Sequence, residues 1–236
     1  LTIPHVRQFT EERDLTAWFL LDLSPSIDFG SQRRKRDVSE AFVAVMASLV
    51  LRHGNRAGAV LYGNALDTVL PAKSGRMHVL HLMQRMRARP SSAATGTTRL
   101  ADLIERARPS IKRRSAVFIV SDFISESGWE ASMARLAQKH DVVAVRLYDP
   151  LEMTLPELGM VLMQDAETGE QVFVDTGARG FRQRFEAAAE RREQELRTLL
   201  LPPPGGTGAA PVALVGGSDD GQAIVWAVEA AVLTGG

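Results

Sequence analysis

Apolar residues in this chain fall in short blocks whose period switches repeatedly between strand and helix. Leu15-Thr16-Ala17-Trp18-Phe19-Leu20-Leu21 has the length and continuity of a strand buried on both faces. Val38, Phe42, Val45, Met46, Leu49 and Val50 then recur at helical spacing and predict a helix from about Ser31 to His53. Ala57 to Tyr62 and Leu66 to Leu70 read as two strands joined by a tight turn at Gly63-Asn64. Helical spacing resumes from Gly75 to Arg87 through Met77, Leu80, Leu82, Met83 and Met86, with the methionines as core filler. It returns at Arg99 to Ile104 and at Gly128 to Lys139. Between and after these lie two apolar strands, Ser115 to Val120 and Asp141 to Leu147. Strand and helix alternate throughout, which predicts an α/β fold with a mostly parallel sheet covered by helices on both faces.

Beyond Asp149-Pro150 the helical period is lost. Val161 to Gln164 and Gln171 to Val174, around Glu167-Thr168-Gly169, predict a second hairpin. Phe181 to Leu201 is a charged amphipathic helix in which Arg182 and Glu186 form an i,i+4 pair. Composition then changes at Pro202, because the last 35 residues hold 8 of the 19 Gly and 4 of the 11 Pro and no Lys or Arg. Three segments follow: a lead-in at 1–14, with a strand around Val6 and Phe9; an α/β domain at 15–201; and a Gly/Pro-rich divergent tail at 202–236, a linker with an apolar segment from Ala223 to Leu233. The first residue is Leu1 rather than methionine, so the chain is expected to be part of a longer or processed protein, with 1–14 the remnant of a truncated N-terminal region.

Charge narrows the function classes. Lys+Arg and Asp+Glu are both 28, which removes any global electrostatic pull toward nucleic acid or membrane. Without cysteine there is no disulfide and no thiolate-bound zinc, which suits a reducing, cytoplasmic setting. No stretch reaches the ~18 unbroken apolar residues of a membrane span.

The candidate chemistry sits where strands end. Asp22-Leu23-Ser24-Pro25-Ser26 closes the first apolar run with hard oxygen donors at alternate positions, and Pro25 stiffens the loop between the two serines. A helix N-cap cluster and a site for a small divalent cation are both consistent with it. Ser121-Asp122-Phe123 ends a second apolar run in the same way. The loop Arg89 to Thr98 is rich in small and hydroxylated residues and ends in Gly96-Thr97-Thr98 before a helix, where it reads as an N-cap or as a threonine hydroxyl held over a metal. The basic run Arg33-Arg34-Lys35-Arg36 has the charge a helix N-terminus disfavours, so it reads as a solvated face or as a docking surface for an acidic partner or phosphate. His78 and His81 are three apart on one helix and read as surface histidines, since no further ligand accompanies them. No Gly-x-Ser-x-Gly elbow, phosphate-binding Gly-rich loop or His-Glu-x-x-His pair is present.

Together, Asp22-x-Ser24-x-Ser26, Thr98 after Gly96, and Asp122 after an apolar strand resemble the metal-ion-dependent adhesion site of a von Willebrand factor A-type domain. Thr98-Arg99-Leu100 fits the family pattern better than Thr97. The resemblance covers about Leu15 to Leu147. It implies a Rossmann-like sheet with one antiparallel edge strand, and Mg2+ or Mn2+ held by Asp22, Ser24, Ser26, Thr98 and Asp122. A closer resemblance is to the bacterial domain-of-unknown-function 58 family, carried by Pro4-His5-Val6-Arg7-Gln8-Phe9, Glu11-Glu12-Arg13, Trp18, Asp22-Leu23-Ser24-x-Ser26-x-x-Phe29-Gly30 and Val120-Ser121-Asp122-Phe123. It implies a binding module working as adaptor or co-chaperone of a MoxR-type AAA+ ATPase, without turnover of its own, engaging the ATPase or its client through an acidic side chain. Arg33, Arg34, Lys35 and Arg36 would form a positive rim around the metal. The alternative is a Mg2+-dependent phosphohydrolase using Asp22 and Asp122 as metal ligands.

Overall fold

The first strand builds two cores at once. In β1 (Thr16–Asp22), Ala17, Phe19 and Leu21 enter one apolar cluster while Trp18 and Leu20 enter another on the opposite face. A run without polar alternation is what a strand with both faces covered requires. The structure is a computed structural model that describes residues 15–52, 54–63, 68–88, 99–166 and 168–200, with the backbone of two further strands at 212–217 and 223–226.

After β1 come α1 (Lys35–Arg52), β2 (Arg56–Tyr62), β3 (Thr68–Lys73), α2 (Arg76–Arg87), α3 (Leu100–Ala107), β4 (Ala116–Ser121), α4 (Trp129–Ala137) and β5 (Asp141–Tyr148). A separate antiparallel ribbon of β6 (Met160–Gln164) and β7 (Gln171–Asp175) leads into α5 (Arg179–Leu200), followed by β8 (Val212–Gly217) and β9 (Ala223–Trp226). The main sheet has the order β3-β2-β1-β4-β5-β8-β9. Its five central strands are parallel, and β3 and β9 run antiparallel at the two edges. Helices α1 and α2 supply Val43, Ala47, Leu82 and Met86 to one face. Helices α3, α4 and α5 supply Leu103, Ile104, Trp129, Leu136 and Leu196 to the other. This is the von Willebrand A-like, Rossmann-like α/β architecture, with the antiparallel strand beside β2 where it was expected.

Several expectations are corrected. Helix α1 begins at Lys35 rather than Ser31, because Pro25–Asp28 form a 3-10 turn and the Ser31 N–H and hydroxyl are both held by Asp149 Oδ2, at 2.7 and 2.9 Å. Two short strands inside the Gly/Pro-rich 202–236 stretch extend the sheet, and β9 adds a second antiparallel edge. Met77 is 76% exposed and Leu80 also faces outward, so the core filler of α2 is Leu82, Met83 and Met86. His78 is buried, its Nε2 2.8 Å from the Ala57 carbonyl, while His81 is exposed. Arg182 turns back to the carbonyls of Thr176 and Gly177 and to Glu157 at 3.3 Å, fastening α5 to the ribbon. The lead-in strand at 1–14, and the Asn64 half of the expected turn, lie outside the described residues.

Candidate functional site

The chain runs from β1 through α1 to β2 on one side and continues at β4 on the other, so the C-terminal ends of β1 and β4 flank the point where strand order reverses. Crevices at such points are where open α/β sheets bind ligands. Leu21 pairs with Val120, which brings Asp22 and Ser121 side by side at that edge. The Ser121 hydroxyl donates to Asp22 Oδ2 at 2.7 Å, and the Ser24 N–H donates to Asp22 Oδ1 at 3.0 Å. Leu23 still bonds the Tyr62 carbonyl at 2.7 Å, so the loop leaves the sheet only at Ser24. There Pro25 opens the 3-10 turn and sets the Ser24 and Ser26 hydroxyls 3.0 Å apart. Asp22 and Ser24 are fully buried and Ser26 nearly so.

Asp122 follows β4 and is also fully buried. Its Oδ1 accepts the Ile124 N–H at 3.1 Å and its Oδ2 accepts Lys35 Nζ at 2.7 Å. Between them Phe123 adopts φ 55°, a left-handed conformation costly for a bulky residue; its ring is held edge-on against Trp129 with centroids 5.2 Å apart. Burial, and then the Asp122 charge, push the Asp22 carboxyl up to about 6, against the pull of the hydrogen bonds from Ser121 and Ser24.

Lys35 is 2% exposed and also reaches Glu152 Oε1 at 2.6 Å. Burial alone would lower its pKa, but Asp122 and Glu152 outweigh that and hold the ammonium above its ordinary value. Glu152 is placed by a capping box with Asp149, whose N–H donates to Glu152 Oε2 at 3.2 Å. Arg146, buried on β5, donates to the Asp122 carbonyl and pairs with Glu193 of α5 at 3.0 Å.

Of the residues expected at the site, Asp22, Ser24, Ser26 and Asp122 are brought together. Thr98, like Thr97, lies outside the described residues. At the start of α3 the Leu100 N–H donates to Ser125 Oγ, in the loop after Asp122, at 2.9 Å. The basic run does not form a continuous rim. Arg33 and Arg34 are exposed, but Lys35 is inside the site and Arg36 is buried against Asp28 at 2.8 Å. Sequence reasoning missed Arg146, Glu152 and Glu193. A lone arginine inside the apolar run Val142 to Leu147 was a usable signal, because a buried guanidinium demands a buried acceptor. Glu152 sits in an aperiodic stretch and gave none.

The donors are hard oxygens, the kind that suit Mg2+ or Mn2+. Among the described residues, no three His, Cys, Asp or Glu side chains converge on one metal position. Any cation here would depend on two carboxylates supplemented by hydroxyls.

The model of the family described as "protein of unknown function DUF58" matches residues 1–195. The chain belongs to the DUF58 family. This DUF58 chain is 36% identical over 169 residues to uncharacterized proteins of Mycobacterium bovis and Mycobacterium tuberculosis, an alignment that covers 71% of it and 53% of each of them. It thus spans about half the length of the curated relatives it matches. Among solved structures it is similar to the conserved hypothetical protein BatB from Bacteroides thetaiotaomicron, with 14% identity and TM-score 0.52 over 78% of this chain and 98% of that one. An aerotolerance-related membrane protein from Bacteroides fragilis gives 15% identity and TM-score 0.51 over 78% and 99%. At such identities the likeness is one of fold. Among the described residues of this DUF58 chain, no helix is long and apolar enough to cross a membrane.

Proposed function

We propose that this DUF58 protein is a metal-dependent protein-binding module, with Asp22, Ser24 and Ser26 holding Mg2+ or Mn2+ and Thr98 and Asp122 completing the site. The observation that carries this is the pair of buried serine hydroxyls 3.0 Å apart beside a buried carboxylate that faces a second one. Asp22, Asp122 and Lys35 are buried here and Glu152 is partly buried, so three carboxylates share the one ammonium, an arrangement that favours a divalent cation. When bound, the cation would offer an electrophilic position to a carboxylate of the partner. The chain's own share is to orient the oxygens, through Ser121 on Asp22 and Ile124 on Asp122, and to exclude bulk water.

A binding role is favoured over hydrolysis because no histidine among the described residues reaches the site to act as its base. His78 and His140 lie at the opposite end of the sheet, next to the starts of β2 and β5. The family resemblance supports a MoxR-type AAA+ ATPase, or its client, as the partner, and the module as its adaptor. Titration calorimetry with Mg2+ and Mn2+ tests the site: the unmodified chain should bind and Asp22→Ala should not. Equal heats from the two proteins would remove the metal from the reading. A surface plasmon resonance measurement against a MoxR-type AAA+ ATPase should show EDTA raising the dissociation rate; binding indifferent to EDTA would exclude a metal-bridged contact.

A further inference from the structure

The cation at Asp122 in this structure is an ammonium group. Asp122 Oδ1 accepts the Ile124 N–H and Oδ2 accepts Lys35 Nζ at 2.7 Å, so a divalent cation at this carboxylate would compete with the ammonium. The same ammonium already has a second acid, Glu152, at 2.6 Å. Glu152 comes from the turn after β5, separate from the elements that carry Asp22 and Asp122, and is fixed by its own capping box. A lysine stem is flexible and its three donors rotate freely, so one hydrogen bond can be released while the other is kept.

We propose that Lys35 and Glu152 form a built-in cation exchange, in which Lys35 neutralises Asp122 until a divalent cation arrives and Glu152 then retains the displaced ammonium. The exchange presupposes the divalent-cation site proposed above. It explains why a lysine is buried among acids at the start of α1, where a helix N-terminus disfavours positive charge. Leaving Lys35 unpaired in the interior would cost far more than a shift from two acids to one. Glu152 is therefore what makes the site loadable, although it is not itself a ligand.

Three variants separate exchange from simple charge. Lys35→Gln removes the competitor, and Mg2+ affinity should rise about tenfold or more, the scale of one charged hydrogen bond. Glu152→Gln leaves Lys35 with Asp122 alone, and affinity should fall by a similar factor. Glu152→Asp keeps the charge but draws the carboxylate back by one methylene, and affinity should fall as well. Calorimetry on each, with a thermal melt to confirm folding, reads these out. Glu152→Asp binding as the unmodified chain does would overturn the exchange and leave only a Coulombic effect, as would Lys35→Gln binding no more tightly. If Lys35→Gln does not fold, the two Glu152 variants decide alone, weaker binding by both supporting the exchange and unchanged binding by Glu152→Asp ending it. Absence of Mg2+ binding in every protein, including folded Lys35→Gln, overturns the metal site and the exchange with it.

Discussion

Ser121 and Asp22 are 99 residues apart in sequence, yet the Ser121 hydroxyl donates a 2.7 Å hydrogen bond to Asp22 Oδ2 inside the sheet edge. The same Ser121 oxygen accepts the Phe123 N–H at 2.9 Å, so one side chain ties both strand-end loops together. Ser121→Ala would leave a fully buried carboxylate short of a donor and free the left-handed Phe123 turn. A loss of about 1–3 kcal/mol in urea unfolding is expected. A change within about 0.5 kcal/mol, the scatter of neutral surface substitutions, would mean that the bond does not organise the loops.

The split of the basic run predicts two different phenotypes. Replacing exposed Arg33 and Arg34 with Ser should leave stability within about 0.5 kcal/mol and slow association with an acidic partner, an effect that fades as salt rises. Arg36→Ser instead strips Asp28 of its 2.8 Å partner and should cost about 1–3 kcal/mol. Stopped-flow association at two salt concentrations, beside thermal melts, distinguishes the two.

Acid should weaken the fold through His78. Burial, reinforced by the nearby His81 and Lys73, lowers its pKa, and the bond to the Ala57 carbonyl only partly offsets this. A group whose folded pKa lies below the unfolded value contributes stability above about pH 6.5 that is lost as pH falls toward the folded pKa. His140 is shifted in the same direction, burial again the main cause. Urea midpoints at pH 7.5, 6.5 and 5.5 should decline, and His78→Gln should decline less. Parallel slopes for the two proteins would assign the loss elsewhere.

Gly58 sits in the middle of β2 because nothing larger fits. A Cβ there would lie 2.9 Å from the Trp18 ring and 3.0 Å from the Ala72 backbone nitrogen. Gly58→Ala should destabilise by about 1–3 kcal/mol through overpacking, with a shift in tryptophan emission reporting the displaced ring.

Strands β1, β4 and β5 were legible because each is a largely apolar run followed by an aspartate, and the acids after β1 and β4 could be matched to one edge of the sheet. What escaped was set by distant contacts. The start of α1 depends on Asp149 capturing Ser31 from 118 residues away, and Lys35 reaches Glu152 across 117. Nothing in Arg33-Arg34-Lys35-Arg36 marks which of four like charges turns inward; the acids at the strand ends decide it. In the tail, the short runs Val212 to Val215 and Ala223 to Trp226 carry strand chemistry, but the surrounding Gly and Pro hid it. The place of β8 beside β5, and of β9 beside β8, follows from an open sheet edge that local composition does not reveal.

Arg146 gives helix α5 a hold on the site. Its guanidinium grips the Asp122 carbonyl with one nitrogen and Glu193 with others, so α5 and the loop behind β4 are riveted through a side chain that solvent barely reaches. A slide of α5 by a single turn, about 5.4 Å, would have to draw that rivet. The helix is therefore a lever whose short arm ends at Asp122, and whatever takes hold of its outer face takes hold of the site as well.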